Sequence, residues 1–156
     1  RASADIVVDT TRLSARQLAQ RISNHFGTDA TDNLSVALMS FGFKNGLPVD
    51  ADIVFDVRFL PNPYWVPELR PKTGLSPDVA SYVLSQEAAQ EFQGCMLGII
   101  DVAAPGYLTE GKRQVTVAIG CTGGKHRSTS MTEELASRLR ARGYGVSVLH
   151  RDLGKE

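Results

Sequence analysis

The sequence predicts an α/β fold, a three-layer sandwich around one mostly parallel sheet, in a single domain. Short β-branched runs alternate along the chain with segments whose apolar residues recur at helical spacing. Short turns feed one kind of segment into the other, an alternation typical of layered α/β domains. With 156 residues the chain has the size of one domain and can bury a hydrophobic core without metals or disulfides.

Each element has its own signal in the sequence. Strands are predicted where apolar or β-branched runs are bounded by polar or glycine residues, at 6–9, 34–41, 52–57, 115–119 and 146–149. Helices are predicted at 14–26, at 77–100 with a break around 85–87, and at 127–142. Ser14 and Ser76 are the N-cap candidates of the first two helices. Gly27 ends the first helix and Gly143 ends the last one. We expect residues 1–156 to be one domain, in which residues 1–33 form a first strand-helix unit with its linker and residues 34–156 carry the motifs.

The connection over residues 58–77 is unusually long and predicts irregular structure, because prolines and Gly74 punctuate it. Loops of this length in a compact domain are commonly functional or disordered. Here Phe59, Leu60, Tyr64 and Trp65 give the loop apolar mass to pack, which favours order.

The charge balance excludes a dedicated nucleic-acid binder that relies on a general positive field. Seventeen Lys and Arg offset seventeen Asp and Glu, so the net charge is zero, although local basic patches remain possible. No apolar run reaches the roughly 18 residues of a membrane span, and we expect a cytoplasmic protein. Cys95 and Cys121 are expected to be thiols, with Cys95 in the core beside Met96. The chain begins with Arg, so we expect a piece of a longer protein.

The glycine loop, residues 120–126, is the most informative segment. A predicted buried strand runs into it and a predicted helix follows at once, so its backbone N–H groups can converge on one spot at the helix N-terminus. Orphan N–H groups and the helix dipole favour an anion there. Lys125, His126 and Arg127 add side-chain cations, and Arg127 can hold phosphate oxygens with a bidentate fork. The segment predicts a site for phosphate or a phosphorylated ligand.

The same segment also fits the Cys-x5-Arg-Ser pattern of cysteine-dependent phosphatases. A Cys121 thiolate at a helix N-terminus could attack a phosphoryl group, Arg127 could hold its oxygens, and Ser128 could stabilise the sulfur as leaving group. Asp56 is the best candidate for the general acid. Gly120 stands where those phosphatases usually have His, so this enzyme is the second hypothesis.

Two further segments bring polar residues to the expected carboxyl edge of the sheet. Lys44 follows one strand and is either an anion contact or a surface residue. Asp56 and Arg58 lie on one face of an extended segment, so they either pair with each other or both reach the pocket.

Other familiar patterns are rejected. Asp50, Asp52 and Asp56 lack a neighbouring His or Cys at ligand spacing, so no metal and no cofactor is predicted. Residues 150–153 match four letters of the kinase catalytic loop without the rest of its signature. No Gly-x4-Gly-Lys-Ser/Thr motif is present, so nucleotide hydrolysis by a P-loop is not supported within these residues.

Four longer strings carry a resemblance to a known family. They are SFGFKNGLPVDAD at 40–52, FDVRFLPNPYW at 55–65, LRPKTGL at 69–75 and AIGCTGGKHRS at 118–128. Together they resemble the C-terminal domain of the RapZ/YvcJ family. The resemblance implies an α/β sensing domain that oligomerises and binds glucosamine-6-phosphate. It also implies that full-length members carry an N-terminal P-loop domain that hydrolyses nucleotides, absent from these residues. In some bacteria members bind small regulatory RNAs and present one to an endoribonuclease.

The resemblance also assigns residues to two surfaces. The sugar-phosphate pocket would be lined by Asp56, Arg58, Tyr64, Cys121, Thr122, Gly123, Gly124, His126, Arg127 and Ser128. The RNA-facing residues would be Lys44, Arg70 and Lys125. Tyr64 departs from the family pattern, because RNA-adaptor members have His at that position. The near-neutral end of the chain also departs from their basic tail, and nucleic-acid affinity falls when fewer phosphates are neutralised.

Overall fold

The computed structural model describes residues 33–155. The strand predicted at 6–9 and the helix predicted at 14–26 lie outside this range. The α/β prediction is confirmed: four strands form one sheet in the order β2-β3-β1-β4, every strand pair is parallel, and three helices flank the sheet.

The described elements follow the predicted order. They are β1 (Ser35–Gly42), β2 (Ile53–Asp56), α1 (Pro77–Leu84), α2 (Glu87–Thr109), β3 (Gln114–Cys121), α3 (Arg127–Ala141) and β4 (Gly145–His150). Two 3-10 turns, Phe43–Asn45 and Pro63–Trp65, lie in the connections on either side of β2. No helix in the described part of the chain is long and apolar enough to cross a membrane.

The core lies between the sheet and the helices. Alternate residues of β1 and β3 point into it, among them Leu38, Val117 and Ile119, because successive side chains of a strand face opposite sides. Leu135 and Leu139 of α3 are fully buried in the same cluster. This packing fixes the start of α3 directly below the loop that follows β3.

The break predicted near residue 85 is confirmed, but the end predicted for the second helix is wrong. The helix α2 runs to Thr109, through Pro105. Ala104 is buried, and Tyr107 and Leu108 pack against the core, so tertiary contacts hold the last turns despite the proline. The core position predicted for Cys95 is also wrong, because its thiol is exposed while Met96 beside it is fully buried.

Parallel pairing brings the carboxyl ends of the strands to one edge of the sheet. Gly42 pairs with Cys121, Ser40 with His150, and Asp56 with Gly120. The glycine loop, the Lys44 turn and the segment after β2 therefore leave the sheet side by side. Ligand sites of open parallel sheets lie at this edge.

Candidate anion-binding site

A cavity of about 600 Å³ opens at this edge, between the glycine loop and the long connection after β2. Its lining comprises Lys44, Asn62, Tyr64, Trp65, Arg70, Pro71, Cys121, Thr122, Gly123, Lys125, His126 and Arg127. Most of the predicted site residues are on this lining. Asp56, Arg58, Gly124 and Ser128 lie beside or beneath it instead. Among the described residues, every charged side chain on the lining is basic.

The glycine loop is held from both sides. Gly124 has a φ of 81°, and a Cβ there would lie 2.8 Å from the backbone nitrogen of Gly42. Thr129 Oγ1 donates to the Gly124 carbonyl at 3.0 Å, and the Lys44 N–H donates to the Thr122 carbonyl at 3.1 Å. Only glycine fits position 124 without strain, so the loop keeps its curvature.

The long connection docks against the same loop. The Gly74 N–H donates to the Lys125 carbonyl at 2.8 Å, and Ser130 Oγ donates to the Gly74 carbonyl at 2.9 Å. A Cβ at Gly74 would lie 2.3 Å from the His126 carbonyl oxygen, so a side chain cannot be accommodated without moving the loop. The connection is thus an ordered wall of the cavity, as its apolar residues predict.

The N-terminus of α3 faces this region without a side-chain cap from the described residues. His126 occupies the N-cap position, and its own side chain makes no capping hydrogen bond. The first turn of a helix presents N–H groups without helical partners and carries a positive partial charge. The site thus keeps the anion-attracting features predicted for the glycine loop.

Arg127 is buried, with 5% of its surface exposed, and most of its donors are already used. Nη1 donates to the carbonyls of Arg58 at 2.7 Å and Leu60 at 3.0 Å, and Nη2 donates to Thr122 Oγ1 at 3.2 Å. Nε has no hydrogen-bond partner within residues 33–155. A buried donor without an acceptor costs free energy, and Nε and Nη2 share the side-on edge that binds oxyanions in a bidentate manner.

The charge of Arg127 is set by its surroundings. Burial lowers the pKa of its guanidinium, while the charges of Cys121 and Asp56 act in the opposite direction. A guanidinium ordinarily loses its proton only far above neutral pH, so the Arg127 side chain remains cationic at pH 7. A buried cation whose Nε–H has no acceptor among the described residues is therefore part of the cavity wall.

His126 does not supply the cation that the sequence predicts. Burial lowers the pKa of its ring below the ordinary value, so the ring is neutral at pH 7. Its Nε2 lies 3.3 Å from the Arg70 carbonyl, which can only accept, so the proton is placed on Nε2. The positive charge of the site comes instead from Lys44, Arg70, Lys125 and Arg127.

Cys121 lies beneath the loop. Its Sγ is 3.1 Å from Ser128 Oγ and accepts the Gly124 N–H at 3.3 Å. Only 3% of the residue is exposed. Both hydrogen bonds help to fix the loop.

Asp56 and Arg58 pair with each other beside the cavity. Arg58 Nη2 donates to Asp56 Oδ2 at 2.7 Å, and Nε contacts both carboxylate oxygens at 3.0 Å. These hydrogen bonds lower the pKa of Asp56. The Arg58 guanidinium also lies 3.9 Å from the centre of the Phe43 ring. Of the two arrangements predicted for these residues, the structure shows the Asp56–Arg58 ion pair. Arg58 contacts the site through its backbone carbonyl, which accepts a hydrogen bond from Arg127.

The three residues assigned to RNA lie on the same cavity as the phosphate loop. A Cβ added at Gly123 would be 3.7 Å from Lys44 Nζ, so this ammonium group lies against the loop. Arg70 Nε donates to the Tyr64 carbonyl at 2.7 Å, and its guanidinium lies 4.8 Å from the centre of the Tyr64 ring. Lys125 is in the loop itself. The structure does not separate a sugar-phosphate surface from an RNA surface.

Several residues of the site were missed in the sequence. Asn62, Trp65 and Pro71 line the cavity, although they lie in a connection without periodicity. The Asn-Pro pair before two aromatic residues was the available signal, since it predicts a turn. Asp152 was also missed: it is buried and accepts the Gly42 N–H at 2.8 Å, which anchors the start of the Lys44 turn.

Fold and site together define an α/β domain with a cationic, glycine-lined cavity at the carboxyl edge of a parallel sheet. The chain belongs to the RapZ C-terminal domain family, which matches residues 34–154, and it is a RapZ-type regulatory domain. This confirms the family resemblance.

Curated relatives match over the whole chain. "Nucleotide-binding protein PPA0813" of Cutibacterium acnes is 65% identical over 156 residues, which are 54% of its length. A nucleotide-binding protein of Nocardioides sp. is 56% identical and SCO1952 of Streptomyces coelicolor 54% identical, each matched over 52% of its length. The chain therefore spans about half the length of the curated relatives it matches.

Proposed function

We propose that the cavity binds a phosphorylated amino sugar of the glucosamine-6-phosphate kind, and that this domain senses the ligand for a longer regulatory protein. The observation that carries the proposal is the buried Nε of Arg127, unpaired among the described residues, in the wall of a cationic cavity. Buried donors in native proteins nearly always have an acceptor. A phosphate oxygen beside the glycine loop would supply it.

The phosphate position follows from the donors around the loop. Its oxygens would accept from Nε and Nη2 of Arg127 and from N–H groups at the start of α3. Lys44 and Lys125 would balance the remaining charge, since neither forms a salt bridge among the described residues. With these contacts, the cavity, whose described lining has no acidic residue, would prefer the doubly charged phosphate group.

Asp56 is our proposed partner for the ammonium group of the amino sugar. It is half-exposed, it lies at the end of β2 next to the cavity, and its charge acts on Arg127. Its carboxylate pairs with Arg58 in this structure. An ammonium group reaching this point would replace part of that pairing.

Isothermal calorimetry with glucosamine-6-phosphate tests the proposal. Arg127→Lys keeps the positive charge but loses the bidentate edge, and Arg113→Lys makes the same change at an exposed position away from the cavity. Loss of a charge-assisted hydrogen bond costs about 1.5 to 3 kcal/mol, so we expect a roughly tenfold to hundredfold weaker affinity for Arg127→Lys alone.

A second variant distinguishes lost binding from a folding defect, because Arg127 also donates hydrogen bonds to the carbonyls of Arg58 and Leu60. Lys44→Ala leaves those anchors in place and should weaken glucosamine-6-phosphate as well. Parent affinity in both Arg127→Lys and Lys44→Ala would place the ligand elsewhere.

A cysteine-dependent phosphatase is a second candidate, favoured by the contacts of Cys121. Its Sγ accepts a loop N–H and touches Ser128 Oγ, the groups that would stabilise a thiolate. Against this, the sulfur is buried, and Asp56, the proposed acid, is engaged with Arg58. We therefore favour binding over hydrolysis.

RNA binding is a third candidate, favoured by the position of Lys44, Arg70 and Lys125 on one cavity. An RNA phosphate in this cavity would compete with the sugar phosphate for the same cations. The relatives are named nucleotide-binding proteins. We assign that nucleotide binding to the half of those proteins that this chain does not cover.

A further inference from the structure

The rim of the cavity carries an aromatic pair that the phosphate site does not use. Tyr64 and Trp65 line the cavity, and their rings meet edge to face with centres 5.2 Å apart and planes at 86°. Trp65 is 73% exposed, and Tyr64 is 47% exposed. Isolated surface hydrophobics need no explanation, but a large exposed aromatic on a ligand cavity does.

The backbone holds this pair rigidly. Asn62 Oδ1 accepts the Tyr64 N–H at 3.2 Å, and the Asn62 carbonyl accepts the Trp65 N–H at 3.1 Å. Pro63 begins the turn with its fixed φ. The Arg70 side chain donates a hydrogen bond to the Tyr64 carbonyl and lies over the Tyr64 ring. The indole is therefore presented on a preorganised turn, and a ligand that covers it does not have to order the backbone first.

The orientation of the pair leaves the indole available. Because the two rings meet edge to face, Tyr64 can cover at most one face of the indole, and Trp65 remains 73% exposed. No other aromatic ring among the described residues stacks on Trp65. An apolar ring face on the ligand could cover the indole while its phosphate lies on the glycine loop.

We propose that Trp65 is the specificity-determining residue of the cavity, the platform on which the ring of a hexose phosphate lies. This inference rests on the proposed function and adds what recognises the part of the ligand beyond its phosphate. The cations and N–H groups of the loop hold a phosphate whatever is attached to it. The indole contacts only a ligand that carries a ring with an apolar C–H face, as a pyranose does.

The single tryptophan of the chain makes the contact directly observable. Titration of the protein with glucosamine-6-phosphate should shift the indole emission to shorter wavelength, because the sugar removes water from the ring. Inorganic phosphate should bind the loop without shifting the emission. A shift of equal size with inorganic phosphate would overturn the proposal.

Affinities of variants separate the platform from the loop. Trp65→Ala should bind glucosamine-6-phosphate about tenfold more weakly, equivalent to about 1.4 kcal/mol, and inorganic phosphate as tightly as the parent. Trp65→Phe keeps an aromatic face and should stay close to the parent. Val102→Ala, which truncates an exposed residue of α2 outside the cavity, is the control and should change neither affinity.

The outcomes distinguish this inference from the proposed function. A parent protein that binds neither phosphate nor glucosamine-6-phosphate would overturn both. Binding by the parent with unchanged affinity in Trp65→Ala would overturn the platform alone. Tighter binding of adenosine monophosphate than of the sugar phosphate, lost in Trp65→Ala, would put a nucleobase on the indole and would also overturn it.

Discussion

Replacing Asp152 by Asn should destabilise the domain measurably, because this carboxylate is buried and ionised. Only 1% of it is exposed, and it accepts the Gly42 N–H at 2.8 Å and Arg151 Nη2 at 2.7 Å. Burial alone would raise the pKa of Asp152, but the hydrogen bonds from Arg151 and Gly42 outweigh it and bring the pKa down to about 2. The change to Asn keeps the shape of the side chain and removes its charge.

The magnitude follows from the difference between the folded and unfolded pKa values. The pKa falls from 3.8 to about 2, and each unit is worth about 1.4 kcal/mol, so the ionised form contributes about 2 kcal/mol at neutral pH. For a domain of this size that corresponds to a melting temperature roughly 4 to 8 °C lower. Because the folded pKa is the lower one, this stability is present above about pH 4 and is lost as the pH falls to 2.

Urea unfolding followed by circular dichroism, at pH 7 and at a series of lower values, measures both effects. The gap between parent and Asp152→Asn should be about 2 kcal/mol at pH 7 and should close as the pH approaches 2. Asp50→Asn, which changes an exposed carboxylate, is the matched control and should stay within about 0.5 kcal/mol of the parent. A gap that is absent at pH 7, or that stays constant with pH, would refute the assignment of an ionised buried anchor.

Three further predictions concern the glycine loop. Gly124→Ala should weaken phosphate binding and lower the melting temperature, because its φ is 81° and the new Cβ would meet Gly42; calorimetry and thermal unfolding check both. Cys121→Ser should not reduce hydrolysis of an aryl phosphate, because we expect no turnover by the parent; robust activity abolished by the change would favour the phosphatase. Lys125→Ala should reduce the slope of log affinity against log salt for a structured RNA hairpin by about 0.9, and an unchanged slope would remove Lys125 from any RNA surface.

The glycine loop and the residues next to it could be predicted from the sequence, because they lie in one continuous segment. The glycine loop, its preceding strand and its following helix occupy one continuous segment, so periodicity and glycine spacing sufficed to place Cys121 and Arg127. The parallel pairing of Gly42 with Cys121 then brought Lys44 to the loop, as the alternation of strands and helices implies. Strand positions were predictable for the same reason, since buried parallel strands read as apolar runs.

The rest of the cavity depends on contacts between distant segments, which the sequence does not encode locally. Trp65 lines it because Gly74, nine residues further on, docks on the glycine loop through hydrogen bonds. The exposure of Cys95 depends on which face α2 turns to the core, and a helix with apolar residues around most of its surface leaves that choice to packing. The neutrality of His126 follows from burial under the same docked connection.

The segment 150–152, at the end of β4 and just beyond it, matches part of the kinase catalytic loop by chance and instead supports the site. His150 Nδ1 lies 2.7 Å from Ser40 Oγ, and its Nε2 lies 2.9 Å from Glu133 of α3, so the ring ties the end of β1 to the helix below the loop. Arg151 Nη2 donates to the Gly46 carbonyl at 2.7 Å, at the far end of the Lys44 turn. With Asp152 on the Gly42 N–H, the three residues hold both ends of the turn that places Lys44 against the glycine loop. Their hydrogen bonds therefore serve to position the cavity, and the cations that can meet an anion are those of the loop and its rim.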